Sequence, residues 1–136
     1  MDILFNPVNI KIGNGVISDI SKTISNKKYV IISSKGYKSR KWDRYFLNPQ
    51  YIIDFVSPNP TISELSNYID LLKGVKFDVL IAIGGGSVID SAKILSVISN
   101  SSEENILNYL NGNKVCNKSL YELYAIPTTA GTGSEV

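Results

Sequence analysis

Residues 78–93 decide the fold of this chain, and they read DVLIAIGGGSVIDSAK, from Asp78 to Lys93. The apolar run 79–83 is short and has no polar alternation, which predicts a strand buried on both faces of a sheet. The three glycines after it let the backbone turn sharply and leave no side chain in the way of a ligand. A helix should follow, with Ser87 as N-cap and Asp90 as the acid of a capping box. The unpaired N–H groups at such a helix start predict a phosphate site.

The glycines match neither of the two common phosphate-binding fingerprints. G-x-G-x-x-G would need glycine at position 89, where Ile89 stands, and no Gly-Lys-Ser/Thr of a Walker A loop follows. A turn that only caps a helix is the alternative interpretation.

The rest of the chain alternates predicted strands with predicted helices. Strands are expected at 29–32, 51–56 and 120–126 beside the central one, with a short alternating segment at 9–12 and a turn at 13–15. Helices are expected over 16–25, 37–47, 103–110, from a cap at Thr61 or Ser63 to about Gly74, and from the glycine turn to about Ile98. This alternation predicts an α/β fold, a Rossmann-like parallel sheet with right-handed crossovers and flanking helices.

Polar or glycine-rich stretches follow four of these strands, at 33–36, 58–61, 84–90 and 128–134. In such sheets ligands bind beyond the carboxyl ends of the strands, so the four stretches predict a nucleotide site. The last one supplies four hydroxyls and two glycines as partners for phosphate and ribose, although a polar surface turn has a similar composition.

Composition narrows the class of protein. A net charge of +2 over 136 residues, with the basic residues spread along the chain, does not favour nucleic acid as a partner. No apolar run approaches 18 residues, so no membrane span is expected. The single cysteine, Cys116, fits a reducing compartment, and we expect a cytoplasmic protein. Histidine is absent, which excludes imidazole base chemistry and a His-ligated metal within these residues.

Taken together, these motifs resemble the iron-containing, metal-dependent (group III) alcohol dehydrogenases. The matching segments, in the order and spacing of that family, are Gly13-Asn14-Gly15, Pro58-Asn59-Pro60-Thr61, residues 84–93 and residues 126–136. The resemblance implies an NAD(P)-binding domain in which Gly85, Gly86 and Ser87 hold the pyrophosphate. It places Asp90 near the nicotinamide and Asn59 at the adenosine, and it implies that Thr128, Thr129 and Thr132 contact phosphate, ribose and nicotinamide.

Ser34 departs from the family pattern. Many members that prefer NAD have an aspartate here, which accepts the ribose hydroxyls and repels a 2′-phosphate. Serine removes that repulsion, and Lys35 adds a positive charge, so we expect NADPH to be tolerated or preferred.

The family chemistry is hydride transfer between nicotinamide and a small-molecule alcohol or aldehyde, assisted by Fe²⁺ or sometimes Zn²⁺. The resemblance implies that one aspartate and three histidines of a C-terminal helical domain hold this metal. Without histidine, residues 1–136 are expected to be an incomplete NAD(P)-binding domain with no catalytic residue, the helical domain being absent. Missing later strands would leave a sheet edge prone to association, which would allow a homo-oligomer. A narrower similarity, at 5–8 and 33–37, is to members that reduce phosphonoacetaldehyde.

Three other interpretations stay open at this point. One is a related glycerol dehydrogenase or dehydroquinate-synthase-like enzyme, against which the motif at 128–135 argues. Another is a non-catalytic dinucleotide-binding module. The last is a phosphate-binding α/β domain unrelated to redox chemistry, which would bind a mononucleotide but not NAD(P).

Overall fold

A computed structural model describes Lys11, residues 13–112 and residues 119–128. In chain order the elements are α1 (Val16–Ile24), β1 (Tyr29–Ser33), α2 (Gly36–Ser39), a 3₁₀ helix (Trp42–Tyr45), β2 (Tyr51–Ile53), α3 (Ile62–Leu72), β3 (Val79–Gly84), α4 (Gly86–Val97), α5 (Glu103–Leu110) and β4 (Glu122–Pro127). The short alternating segment at 9–12 falls outside the described residues except for Lys11.

The four strands form one parallel sheet in the order β2-β1-β3-β4. Every residue of β1 and β3, the two central strands, is buried, as expected for strands covered on both faces. Ser33 lies opposite Ile83, and Gly84 lies opposite Pro127, so the carboxyl ends of β1, β3 and β4 are level. The predicted Rossmann-like α/β fold is confirmed.

The two faces of the sheet bury separate apolar layers. Val30, Ile32, Leu80 and Ala82 face a layer that also contains residues of α3, α4 and α5. The alternating residues of the same strands face α1, α2 and the 3₁₀ helix. The connection after β1 therefore runs over one face towards β2, and the connection after β3 runs over the other face towards β4. The two directions diverge between β1 and β3, which makes this gap the topological switch point where ligands bind in open α/β sheets.

Two predicted elements differ from the structure. The single helix expected over 37–47 is wrong, because Lys41 adopts a left-handed conformation (φ 57°) and separates α2 from the 3₁₀ helix. The strand expected over 51–56 ends at Ile53. The chain still follows the sheet a little further, since the Val56 N–H donates to the Ser33 carbonyl at 3.0 Å.

The described part of the chain contains no helix that is both long and apolar enough to span a bilayer.

Candidate functional site

Hydrogen bonds connect the carboxyl ends of the strands on both sides of the switch point. The Ser33 hydroxyl, which is fully buried, donates to the Ile83 carbonyl at 2.7 Å and joins the end of β1 to that of β3. On the other side, the Thr128 N–H donates to the Gly84 carbonyl at 2.9 Å. The segments that follow β1, β3 and β4 therefore leave the sheet side by side.

The first two glycines of the turn have different structural roles. A Cβ on Gly84 would lie 2.7 Å from Val88 Cγ2 and 2.9 Å from Val88 Cβ, so glycine lets α4 start directly against the end of β3. Gly85 has φ −84° and ψ −169°, an extended conformation open to residues with a side chain. Backbone geometry therefore does not explain glycine at position 85, whereas close approach of a ligand to the backbone would.

The predicted capping of α4 is wrong. The N-cap is Gly85, because the strand runs directly into a helix that starts at Gly86, and Ser87 lies inside the first turn. Asp90 is the fifth helical residue, is exposed, and is too far along the helix to serve as the acid of a capping box.

Ser87 instead links α4 to the loop after β2. Its hydroxyl oxygen accepts a hydrogen bond from the Asn59 backbone N–H at 2.9 Å. Asn59 has φ 48°, a left-handed conformation that asparagine tolerates better than most residues. Because the Ser87 oxygen acts as acceptor here, its hydroxyl proton can be donated to another group, such as a phosphate oxygen.

The start of α4 is suited to an anion. The helix has twelve residues, its N-cap has no side chain to accept from the first turn, and its positive dipole end lies at the switch point. By contrast, α3 and α5 begin with side-chain caps from Thr61 and Ser102. The turn thus has the glycines, the first-turn N–H groups without an intrahelical partner, and the hydroxyl that a pyrophosphate requires.

The structure brings most of the predicted site residues to this edge. Asn59 and Ser87 are bonded to each other, and Thr128 is bonded to the residue before Gly85. Ser34 follows β1 next to the switch point and is partly buried. Asp90 is one turn further along α4 and faces solvent, so the structure does not join it to the others. Thr129 and Thr132 lie outside the described residues.

Sequence reasoning missed Arg40. A Cβ on Gly36 would lie 3.3 Å from Arg40 Nε, so this side chain folds back over the start of α2, two residues after Ser34. The basic run 38–44 was the available signal, but a solvated helix face explained it equally well.

Two cavities of the described structure lie at the opposite, amino edge of the sheet. One, of about 190 Å³, is between the ends of α3 and α4 beside Tyr121. The other, of about 580 Å³, is between the end of α1, the start of β1 and the 3₁₀ helix. Neither adjoins the glycine turn, so the site is identified from topology, hydrogen bonding and helix electrostatics.

The chain is similar in sequence to proteins of known activity. Hydroxyacid-oxoacid transhydrogenase, mitochondrial, of Caenorhabditis elegans is 32% identical over 140 residues, covering 93% of this chain and 30% of that protein. Lactaldehyde reductase of Escherichia coli K12 is 44% identical over 85 residues, covering 62% of this chain and 22% of that protein. The chain therefore spans less than a third of the length of these curated relatives.

Solved structures show the same architecture. Sulfoacetaldehyde reductase from Bifidobacterium kashiwanohense, in complex with NAD⁺, aligns with a TM-score of 0.78 and 26% identity over 99% of this chain and 39% of its own. NADH-dependent butanol dehydrogenase A from Thermotoga maritima aligns with a TM-score of 0.80 and 24% identity, over 98% of this chain and 36% of its own, and shares the fold. The sequence model of the family "Iron-containing alcohol dehydrogenase" matches residues 7–136, and this chain belongs to that family.

Proposed function

We propose that residues 1–136 form the NAD(P)-binding part of an oxidoreductase that transfers hydride between a nicotinamide dinucleotide and a small alcohol or aldehyde. The observation that carries this proposal is the turn 84–87, where an uncapped helix starts at the switch point of a parallel sheet. Membership of the family and a structural relative in complex with NAD⁺ support it.

In this proposal each residue has a binding role rather than a chemical one. Gly85 and Gly86 let the pyrophosphate approach the first-turn N–H groups of α4, and the Ser87 hydroxyl donates to it. Asn59, fixed by its bond to Ser87, lines the adenosine. Thr128, with Thr129 and Thr132, contacts phosphate, ribose and nicotinamide, and Asp90 lies on the nicotinamide side. The bound dinucleotide supplies or accepts the hydride.

The metal requires other residues. The family resemblance implies one aspartate and three histidines as ligands, and residues 1–136 contain no histidine. They therefore do not fit an Fe²⁺ or Zn²⁺ site of that kind. We propose that the metal is held by a helical domain encoded outside these residues, and that the role of residues 1–136 is to bind and orient the cofactor.

For the cofactor itself we propose a preference for NADPH. Ser34 lies partly buried after β1, where it can donate a hydrogen bond to a 2′-phosphate, and Lys35 is exposed beside it. A side-by-side titration of NADPH and NADH tests this preference, and equal or tighter binding of NADH would remove it.

For the substrate we propose phosphonoacetaldehyde, an aldehyde with an anionic group on the neighbouring carbon. The motif at 33–37 supports it, and so does the structural similarity to an enzyme named for sulfoacetaldehyde, which has the same arrangement of charge and carbonyl. The test is reduction by the full-length enzyme of phosphonoacetaldehyde, sulfoacetaldehyde, lactaldehyde and a simple alkanal in parallel. Turnover of the alkanal without turnover of phosphonoacetaldehyde would end the substrate proposal.

The broader proposal is tested by calorimetric titration of the full-length protein with NAD⁺, NADP⁺ and AMP. We expect at least one dinucleotide to bind more tightly than AMP, because the nicotinamide half adds contacts. Binding of AMP without binding of either dinucleotide would instead identify a phosphate-binding domain with no redox role.

A further inference from the structure

We propose that Arg40 sets the cofactor preference by binding the 2′-phosphate of NADP(H), with Trp42 holding its guanidinium group in position. This inference rests on the proposed NAD(P)-binding function and adds a residue and a mechanism to it.

The first observation is where the Arg40 side chain lies. Its Nε and Cζ atoms are 3.3 and 3.7 Å from the position that a Cβ on Gly36 would occupy, so the guanidinium covers the start of α2. Gly36 is two residues after Ser34, and the Tyr37 N–H donates to the Ser34 carbonyl at 3.1 Å, which keeps this segment folded beside the end of β1. The absence of a side chain at position 36 is what lets Arg40 reach this edge.

The second observation is how the guanidinium is held. Arg40 Cζ lies 5.2 Å from the centre of the Trp42 ring, a cation–π contact that fixes the plane of the group. Within the part of the chain that the structure describes, the guanidinium makes no hydrogen bond or ion pair, so these residues leave its N–H donors available to a ligand. A planar fork of free donors is suited to a phosphate with two or more acceptor oxygens.

Arg44, in the same segment, provides a comparison, because its contacts are those of an arginine with a structural role. It also stacks on an aromatic ring, that of Tyr45 at 4.8 Å, but its Nη2 donates to the Tyr45 hydroxyl at 2.8 Å. It lines the cavity at the amino edge, away from Ser34. The two arginines thus form a matched pair that differs in location and in hydrogen bonding.

The chemistry around Arg40 favours a phosphate. Ser34 supplies a hydroxyl, Lys35 a second cation, and Arg40 the fork, which together fit the 2′-phosphate of an adenosine ribose. Two acidic side chains lie in the same region, Asp54 after β2 and Asp43, and the charge of each helps to raise the pKa of Tyr37. Their negative charge would oppose the binding of a phosphate. If the Asp54 carboxylate held the adenosine ribose in place of Arg40, it would accept the ribose hydroxyls, and the site would favour NAD⁺.

The test is calorimetric titration of the full-length wild type and of the Arg40→Ala, Arg40→Lys and Arg44→Ala variants with NADP⁺ and NAD⁺. Removing a charge-assisted contact should weaken NADP⁺ binding by about tenfold or more in Arg40→Ala and change NAD⁺ binding by less than about twofold. Arg40→Lys should recover part of the loss, because it keeps the charge without the fork. Arg44→Ala should match the wild type with both dinucleotides.

Each other outcome has a distinct meaning. If the wild type binds NAD⁺ but not NADP⁺, or if Arg40→Ala weakens both dinucleotides equally, the role of Arg40 is overturned and the proposed function stands. If the wild type binds neither dinucleotide, the proposed function itself fails.

Discussion

Tyr37 has an unusual environment for a polar side chain. It is fully buried against β1 and β3, and its hydroxyl is the one buried side-chain polar atom in the described structure that has no hydrogen-bond partner. Burial, reinforced by the charges of Asp43, Tyr29 and Asp54, raises its pKa to about 12. The neutral phenol is therefore strongly favoured in the folded protein.

We predict that Tyr37→Phe leaves stability unchanged or raises it slightly near neutral pH, because no hydrogen bond is lost. Because folding raises the pKa of Tyr37, this residue contributes stability that is fully present below pH 10 and is lost as the pH rises towards 12. The variant has no phenol at this position, so this part of the loss of stability at alkaline pH should be absent. Tyr29→Phe is the control, since the Tyr29 hydroxyl donates to the Leu47 carbonyl and its loss should destabilise. Denaturant unfolding at pH 7 and above pH 10 measures both, and a clear destabilisation by Tyr37→Phe at pH 7 would show that its hydroxyl is bonded.

Gly84 and Val88 should be energetically coupled. Gly84→Ala places a Cβ 2.7 Å from Val88 Cγ2, and such overpacking typically costs about 1–3 kcal/mol of unfolding free energy. A Gly84→Ala/Val88→Gly double variant removes both the Cγ2 contact and the Cβ contact at 2.9 Å, so the two single losses should exceed the combined loss, although the strain of alanine at φ 159° remains. A double-mutant cycle by urea unfolding measures the coupling, and additive losses would contradict the steric explanation.

Among the elements, α3 matters for the site because the loop just before it contains Asn59, which is bonded to Ser87. Thr61 accepts from the Glu64 N–H at 3.1 Å, and the Glu64 carboxylate accepts from the Thr61 N–H and, at 2.8 Å, from the Ser57 hydroxyl. The Thr61 N–H is the main cause of the lowered pKa of Glu64, and the Ser57 hydroxyl adds to it. This capping box therefore anchors the segment that contains Asn59 at both of its ends, Ser57 and Thr61. The bonds to Glu64 should weaken as acid protonates its carboxylate.

We predict that Thr61→Ala lowers the unfolding free energy by about 1 kcal/mol, the usual cost of losing an N-cap. Thr61→Ser keeps the hydroxyl and should stay close to the wild type. Thermal and urea unfolding of the three proteins provide the comparison. Equal losses in both variants would mean that the methyl group, rather than the cap, is what matters.

Some elements could be predicted from the sequence and others could not. The buried runs of β1 and β3 have the composition of central parallel strands, and Thr61 is one of the two caps that the sequence predicts for α3. The interruption at Lys41 has no such signal, because neither glycine nor asparagine marks the left-handed residue and the aromatic residues around it fit a helical spacing. The sequence predicts Ser87 as the N-cap, because a run of glycines does not show where the strand stops and the helix begins.

The site was predicted in outline only. Its location follows from the rule that parallel strands bring their carboxyl ends to one edge. The bond between Asn59 and Ser87 joins residues 28 apart, and the position of Arg40 depends on the bend at Lys41. The first is a tertiary contact with no local pattern, and the second depends on a left-handed residue that the sequence does not mark, which is why the sequence alone did not reveal them.

The whole molecule has two unlike edges. At the carboxyl edge, hydrogen bonds from Ser33, Thr128 and Asn59 gather three loops around the start of α4. At the amino edge, the larger cavity is lined by Lys22, Lys27, Lys28 and Arg44, and Lys27 is paired with Glu122 at 3.2 Å. We propose that the dinucleotide binds at the first of these edges, through the glycine turn.

One measurement tests this claim most directly: calorimetric titration of the wild type and of Gly85→Ala with NADP⁺ and NAD⁺, alongside their melting temperatures. Alanine is compatible with the backbone angles of Gly85, so backbone strain should not lower the melting temperature, and the melting temperatures show whether the variant stays folded. The added methyl should keep the pyrophosphate from the N–H groups of α4. We predict at least about a tenfold loss of affinity for both dinucleotides, roughly the 1.4 kcal/mol that one good contact supplies. Unchanged affinity in Gly85→Ala would contradict the account, because the cofactor would then bind elsewhere.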